Sequence, residues 1–295
     1  MKNLLKKFGI IAIICIFAIM AIASGSSSEA DKEISTDDAE AGTGKEYVDV
    51  TIEEQVLFER DGIKVTAKEY VKDSFWGDGI KLLVENNSTR NVNLGCDALI
   101  VNDFMIYDLF YCDIAAGKKA NETLYLSSTE LKNAGVENVG KIEFDFYVTD
   151  SETYSRIFEH ELATLTTSAY NDMDTTAEID AVDLYNGNGV KIMGKAVNEH
   201  DFWGSAIVLY IENNSNDNIG ISCEDMSVNG FMMSPLFSST VYAGKKAVDE
   251  ITIFESDLEE NDITSIEDVE LSFRIYNSES YHTLTETGPI TFSAK

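Results

Sequence analysis

Residues 75–88 read FWGDGIKLLVENNS, and residues 202–215 read FWGSAIVLYIENNS. Both stretches place an aromatic pair and a glycine before an apolar run, and both close on Glu-Asn-Asn-Ser. Sliding the chain against itself by 127 residues superposes them and much else. Between 62–157 and 189–284 there are 31 identities in 96 positions, with no gap. A repeat of this length is a whole domain duplicated in tandem, not the short unit of a solenoid.

Within each copy the signal is of short strands separated by turns. Asp61-Gly62 and Asn188-Gly189 stand between alternating segments, and both dipeptides supply the positive φ that a tight hairpin requires. The runs IKLLVENN and IVLYIENN are apolar strands with asparagines at their exits. Asn102-Asp103 and Asn229-Gly230 signal a further hairpin. KANETLYLS, KAVDEITIF, KIEFDFYV and DVELSFRIY supply more strands. The helical segments are STELKNAG and ESDLEENDI, where a Ser or Thr caps a short acidic turn. Seven to nine strands per copy predict an all-β chain of two tandem sandwiches of immunoglobulin-like type, over 47–167 and 174–295, joined by the polar stretch 168–176.

The first 23 residues are different material. Lys2, Lys6 and Lys7 precede an uncharged run, Phe8 to Ala23, that ends on Ala21-Ile22-Ala23. A positive start, an apolar centre and a small-x-small close form a signal peptide cleaved after Ala23. The run is slightly short for a transmembrane helix, which needs about 17–25 residues; the alternative is an uncleaved anchor through residues 8–23. Ser24 occupies the place of a lipidated cysteine. Residues 24–46 are small, polar and acidic, and read as a flexible tether. The expected location is therefore extracellular or at the cell envelope.

The chain has 52 acidic and 22 basic residues and a formal net charge of −30. Such a surface repels nucleic-acid phosphates and anionic headgroups, so nucleic acid is excluded as a partner, and a membrane is met only through residues 1–23. Three cysteines follow the leader. Cys96 and Cys223 occupy equivalent positions, as expected of small buried apolar residues. A disulfide between Cys96 and Cys112, across adjacent strands, is the alternative that export would permit. No cysteine–histidine spacing suggests a metal site. The acidic clusters at 171–174 and 258–268 lack the spacing of a calcium loop. No cofactor is expected.

The order of hairpin, FWG loop, ENNS exit, VNGFM turn, AGKKA at the opening of a strand and a final xEFxFxV strand resembles small immunoglobulin-like (telokin-like) domains. These occur in secreted proteins and lipoproteins of Gram-positive bacteria. The resemblance spans nearly all of 47–167 and 174–295. It implies the sandwich fold and carries no catalytic residues to transfer.

Two sets of residues stand out as binding candidates. Phe75, Trp76, Phe202 and Trp203 form either an aromatic platform for a sugar ring or partner, one per copy, or inward caps on the sandwich ends. Lys118, Lys119, Lys245 and Lys246 either bind an anion beside a glycine turn or are solvated turn residues that protect a strand edge. His160, His200 and His282 have no counterparts between copies, and no nucleophile or phosphate-loop pattern occurs. The sequence thus predicts a non-enzymatic, exported recognition or adhesion module whose partner is a surface glycan or protein. A structural spacer is the alternative, and a carboxylate-based secreted hydrolase the remote one.

Overall fold

The computed structural model describes residues 49–293, apart from 74–76, 108, 177–179 and 201–203 and the side chains of 198–200 and 204. The described residues belong to one compact unit. The chain is all-β, built of open sheets that are antiparallel except at one contact.

The first repeat contributes β1 (Gln55–Arg60), β2 (Ile63–Asp73), β3 (Gly77–Asn86), β4 (Val92–Val101), β5 (Phe104–Ile106), β6 (Tyr111–Ile114) and β7 (Lys119–Tyr125). A short helix α1 (Ser128–Asn133) leads to β8 (Lys141–Asp150) and β9 (Arg156–Thr166). The second contributes β10 (Val182–Gly187), β11 (Val190–His200), β12 (Gly204–Asn213), β13 (Ile219–Val228), β14 (Phe231–Met232), β15 (Ser238–Val241) and β16 (Lys246–Phe254). Then come α2 (Glu255–Glu260), β17 (Asp268–Asn277), β18 (Thr283–Glu286) and β19 (Ile290–Ser293). Each element of the second copy starts 127 residues after its counterpart, and β9 is matched by the pair β18 and β19.

The hairpin dipeptides behave as their chemistry demands. Asp61 and Gly62 have φ of 51° and 83°, Asn188 and Gly189 of 52° and 78°. Two consecutive positive values are the signature of a type I′ turn, whose twist matches that of its strands. A Cβ on Gly189 would lie 3.0 Å from the Ser215 nitrogen, so the turn also packs against the ENNS exit. The Asn102-Asp103 and Asn229-Gly230 turns likewise have positive φ. Ser127 caps α1 by accepting from the Glu130 N–H at 3.4 Å. The second helix departs from expectation: Phe254 stands at its start and offers no side-chain cap.

In the first repeat, the sheet β1-β2-β3-β7 faces a sheet in which β4 is flanked by β8 and β9 on one side and by β5 and β6 on the other. Alternating residues of both layers, including Val65, Leu82, Leu94, Phe144 and Phe146, share one buried cluster. The second repeat repeats the arrangement, with Ile192, Leu209, Ile221, Leu271 and Phe273 in a second cluster. Burial of this apolar area is the principal stabilising term in each.

The two repeats share a sheet. Strand β16 pairs with β12 on one side and, through a parallel bridge between Lys246 and Phe104, with β5 of the first repeat. The result is one nine-stranded sheet, β10-β11-β12-β16-β5-β4-β8-β9, with β6 pairing with β4 beside that path. The Lys246 N–H donates to the Asp103 carbonyl at 2.9 Å. Tyr210 of the second repeat lies in the first cluster, its ring 6.4 Å from that of Phe104. The polar stretch between the copies is also tied down. Thr51 and Ser168 exchange hydrogen bonds, and Ala169 is buried.

The three described cysteines are not disulfide-bonded, so the alternative of a Cys96–Cys112 bridge is not formed. The strand register sets Cys112 opposite Leu94, two residues from Cys96, and the Cys96 thiol instead donates to the Ala98 carbonyl at 3.0 Å. Cys112 is buried, and desolvation pushes its thiol up to about 12. Cys96 and Cys223 are half-buried rather than core residues.

Candidate functional site

Polar contacts within each repeat and between the repeats use different residues. Asn86 and Asn213, the first asparagines of the two ENNS stretches, are fully buried. The Asn86 amide donates to the carbonyls of Arg90 and Ile114 at 2.7 and 2.9 Å, and its oxygen accepts from the Ser88 N–H and hydroxyl. Asn213 repeats all four bonds with Asp217, Val241 and Ser215. Each amide thus ties the end of one strand to a loop and to a strand of the facing sheet, and saturates its own capacity. Asn102 and Asn229 are a second matched pair. The Asn102 oxygen accepts from Gly140 and Lys141, and the Asn229 oxygen from Glu267 and Asp268. These are internal fastenings.

A different set of contacts lies at the seam between the repeats. Lys245 reaches from the turn before β16 to the carboxylates of Asp103, at 2.8 Å, and Glu143. Lys141 binds the same two, at 2.7 and 3.2 Å. Burial pushes the Asp103 carboxyl up, but hydrogen bonds from the two lysines outweigh it and hold the group below its ordinary range. The Lys246 ammonium sits 5.5 Å above the Phe104 ring and donates to the Thr175 carbonyl. Lys245 and Lys246 are therefore seam residues, and β16 is no edge strand. Their counterparts Lys118 and Lys119 are exposed, and Lys119 pairs with Glu85 on the edge strand β7. The structure does not bring the two lysine pairs together. Phe75, Trp76, Phe202 and Trp203 lie outside the described residues.

Beside the lysine network a cavity of about 480 Å³ opens between β8 and β9 on one side and the 242–245 turn on the other. Asp145 and His160 on its wall come from the first repeat, Tyr242 from the second. Only 2% of the Asp145 side chain is exposed. Its Oδ2 accepts from the Tyr242 hydroxyl at 2.8 Å and meets His160 Nδ1 at 3.0 Å, while its Oδ1 is buried without a hydrogen-bond partner. A buried unpaired carboxylate oxygen costs stability. His160 holds a left-handed backbone, φ 59°, which histidine adopts more readily than most residues, at the bulge where the β8–β9 register shifts. The hydrogen bond to Asp145 raises the His160 pKa above its ordinary value. Desolvation, then the same carboxylate, raises that of Tyr242.

Glu143, Glu279 and Lys245 complete the charged lining. With Asp145, carboxylates outnumber cationic groups, so the cleft favours a ligand that offers N–H or O–H donors. An Asp–His contact of this kind also serves as the orienting half of catalytic triads. Among the described residues, no hydroxyl or thiol is hydrogen-bonded to His160 to complete one, and no group of side chains is arranged to hold a metal.

Neither His160 nor Tyr242 is marked by the sequence as a site residue: Tyr242 meets Asp145 across 97 residues, and His160, 15 residues from Asp145, belongs to no motif. The usable signal was inequality between copies. Asp145, His160 and Tyr242 correspond to Ser272, Thr287 and Ala115.

No protein-family model matches the chain, and no curated protein matches it. Among solved structures the chain is similar to a protein of unknown function from Porphyromonas gingivalis W83, at 9% identity over 73% of this chain and 89% of that one. The TM-score is 0.19, and a likeness at that level carries no argument about fold or function. No helix among the described residues is long and apolar enough to cross a membrane.

Proposed function

We propose that this chain is an exported, non-enzymatic recognition module of a Gram-positive cell envelope, made of two immunoglobulin-like sandwiches that act as one body. Its recognition site is the Asp145 cleft at the seam, not a platform repeated in each copy. The observation that carries this reading is Asp145: a carboxylate withdrawn from water, shared between a histidine of one repeat and a tyrosine of the other, with one oxygen unpaired beside a cavity. Tyr242 and His160 occupy one oxygen of this group, and the unpaired oxygen is the part that a ligand or partner would satisfy. The partner is a surface glycan or protein that presents hydrogen-bond donors to the cleft.

A spacer without a ligand is the second reading, favoured by the matched asparagine fastenings, which show the duplication serving architecture. The two separate in one experiment. Full-length protein, unsubstituted or carrying Asp145→Asn or Tyr242→Phe, is incubated with Gram-positive cell-wall sacculi and with a glycan array, and the retained fraction is measured. Recognition at the seam predicts retention that falls at least tenfold in both variants and is unchanged in Lys118→Ala. Equal retention of all forms, or none of any, supports the spacer.

A further inference from the structure

The contact that joins the two repeats is heterologous: one surface of the first copy, around β5, meets a different surface of the second, around the start of β16. Because the repeats are equivalent residue for residue, each also carries the surface it does not use here. The free counterpart of β16 is β7, which begins at Lys119 and is the outer strand of its sheet. The free counterpart of β5 is β14, Phe231–Met232, also an outer strand.

These free halves keep the chemistry of the joined ones. Phe104 and Met105 at the seam correspond to Phe231 and Met232, and Lys245 and Lys246 to Lys118 and Lys119. Glu143, which binds Lys245, corresponds to Glu270. Burial differs as the contact dictates. Phe104 is 1% exposed beneath Tyr210 and Lys246, whereas Phe231 is 47% and Met232 67% exposed. Lys118, Lys119 and Glu270 are exposed as well. Backbone donors are also in place. The Asn86 N–H donates to the Lys118 carbonyl, so in an antiparallel ladder the N–H of the next residue, Lys119, points away from β3. At the seam, the equivalent N–H of Lys246 donates to Asp103.

We infer that the chain associates with copies of itself head to tail, the Lys118–Lys119 edge of one molecule seating on the Phe231–Met232 edge of the next as Lys245–Lys246 seats on Phe104–Met105 within the chain. A heterologous contact propagates as an open chain unless its rotation closes a ring. The occupant is a second copy because the complementary surface is already seen, paired, inside the molecule. The contact between molecules is weaker than the seam. Tyr210 becomes Leu83, Asp103 becomes Gly230, and the Tyr242–Asp145 hydrogen bond has only Ala115 and Ser272 in its place. Association is accordingly reversible and concentration-dependent.

Two full-length variants, Lys119→Cys and Phe231→Cys, test this under mild oxidation on a non-reducing gel. Residues that face each other as Lys246 faces Phe104 come within disulfide reach. Both positions are exposed, and the unsubstituted chain gives the background from its native cysteines. Mixing the two variants yields a covalent dimer, either variant alone yields none above background, and a chain carrying both yields a ladder. Lys118→Glu lowers the mixed cross-link at least fivefold, and adding Glu270→Lys to the opposite partner restores it. No cross-link in the mixture, or as much in either variant alone, overturns the inference.

Discussion

At the residue scale, function and architecture fall to different side chains of similar polarity. Asn86 and Asn213 each make four hydrogen bonds while fully buried. Asn86→Ala or Asn213→Ala strands two carbonyls and a backbone N–H, and should lower unfolding free energy by about 3 kcal/mol, read as a fall in the urea midpoint. His160 predicts a pH dependence. Its pKa is raised in the folded protein by Asp145, with Glu159 and Glu279 adding to the same direction. The protonated ring therefore contributes stability that is fully present below the ordinary histidine value and is lost as pH rises through the raised one. His160→Asn keeps a residue suited to φ 59° and a donor for Asp145 without the charge. Over pH 6 to 9 its urea midpoint should change less than that of the unsubstituted chain. Equal slopes would mean that the imidazolium is not coupled to Asp145. The ENNS exits were legible as strand ends because asparagine favours turns. Their burial was not, since it depends on carbonyls 28 residues away.

At the element scale, local chemistry was a reliable guide. Asp-Gly and Asn-Gly announced their hairpins, and period-two alternation announced β8 and β17. Close approaches across strands carried no such signal. Gly95 and Gly220 differ by two positions in repeat register, yet a Cβ on either would lie 2.3 Å from the ring of Tyr147 or Tyr276. Each tyrosine is covered in turn by a guanidinium, Arg156 at 3.6 Å and Arg274 at 4.7 Å, and Arg156 also makes a two-pronged pair with Asp97. Gly95→Ala should therefore cost more than Gly220→Ala, about 1–3 kcal/mol, because its ring is more firmly held. Thermal unfolding of the two variants provides the comparison. The β5–β16 bridge was invisible to sequence for a different reason. It is one pair of residues 142 apart, with no periodicity to betray it.

At the scale of the whole molecule, the duplication makes two cores and one seam. The repeat itself was legible in the sequence, but the shared sheet and the cleft depend on contacts made between the copies. Tyr242, Asp145 and Lys245 carry the coupling, so Tyr242→Phe with Lys245→Ala should split a single calorimetric unfolding transition into two while leaving far-ultraviolet circular dichroism unchanged. The most direct test is amide hydrogen exchange at two equivalent lysines, in dilute solution where the chain is monomeric. Lys246 donates across the seam to Asp103, and Lys119 faces outward from an edge strand. The account predicts that the Lys246 amide exchanges at least a hundredfold more slowly than that of Lys119. Equal rates would mean that the repeats are not joined through β5 and β16, and that the cleft between them is not a fixed site.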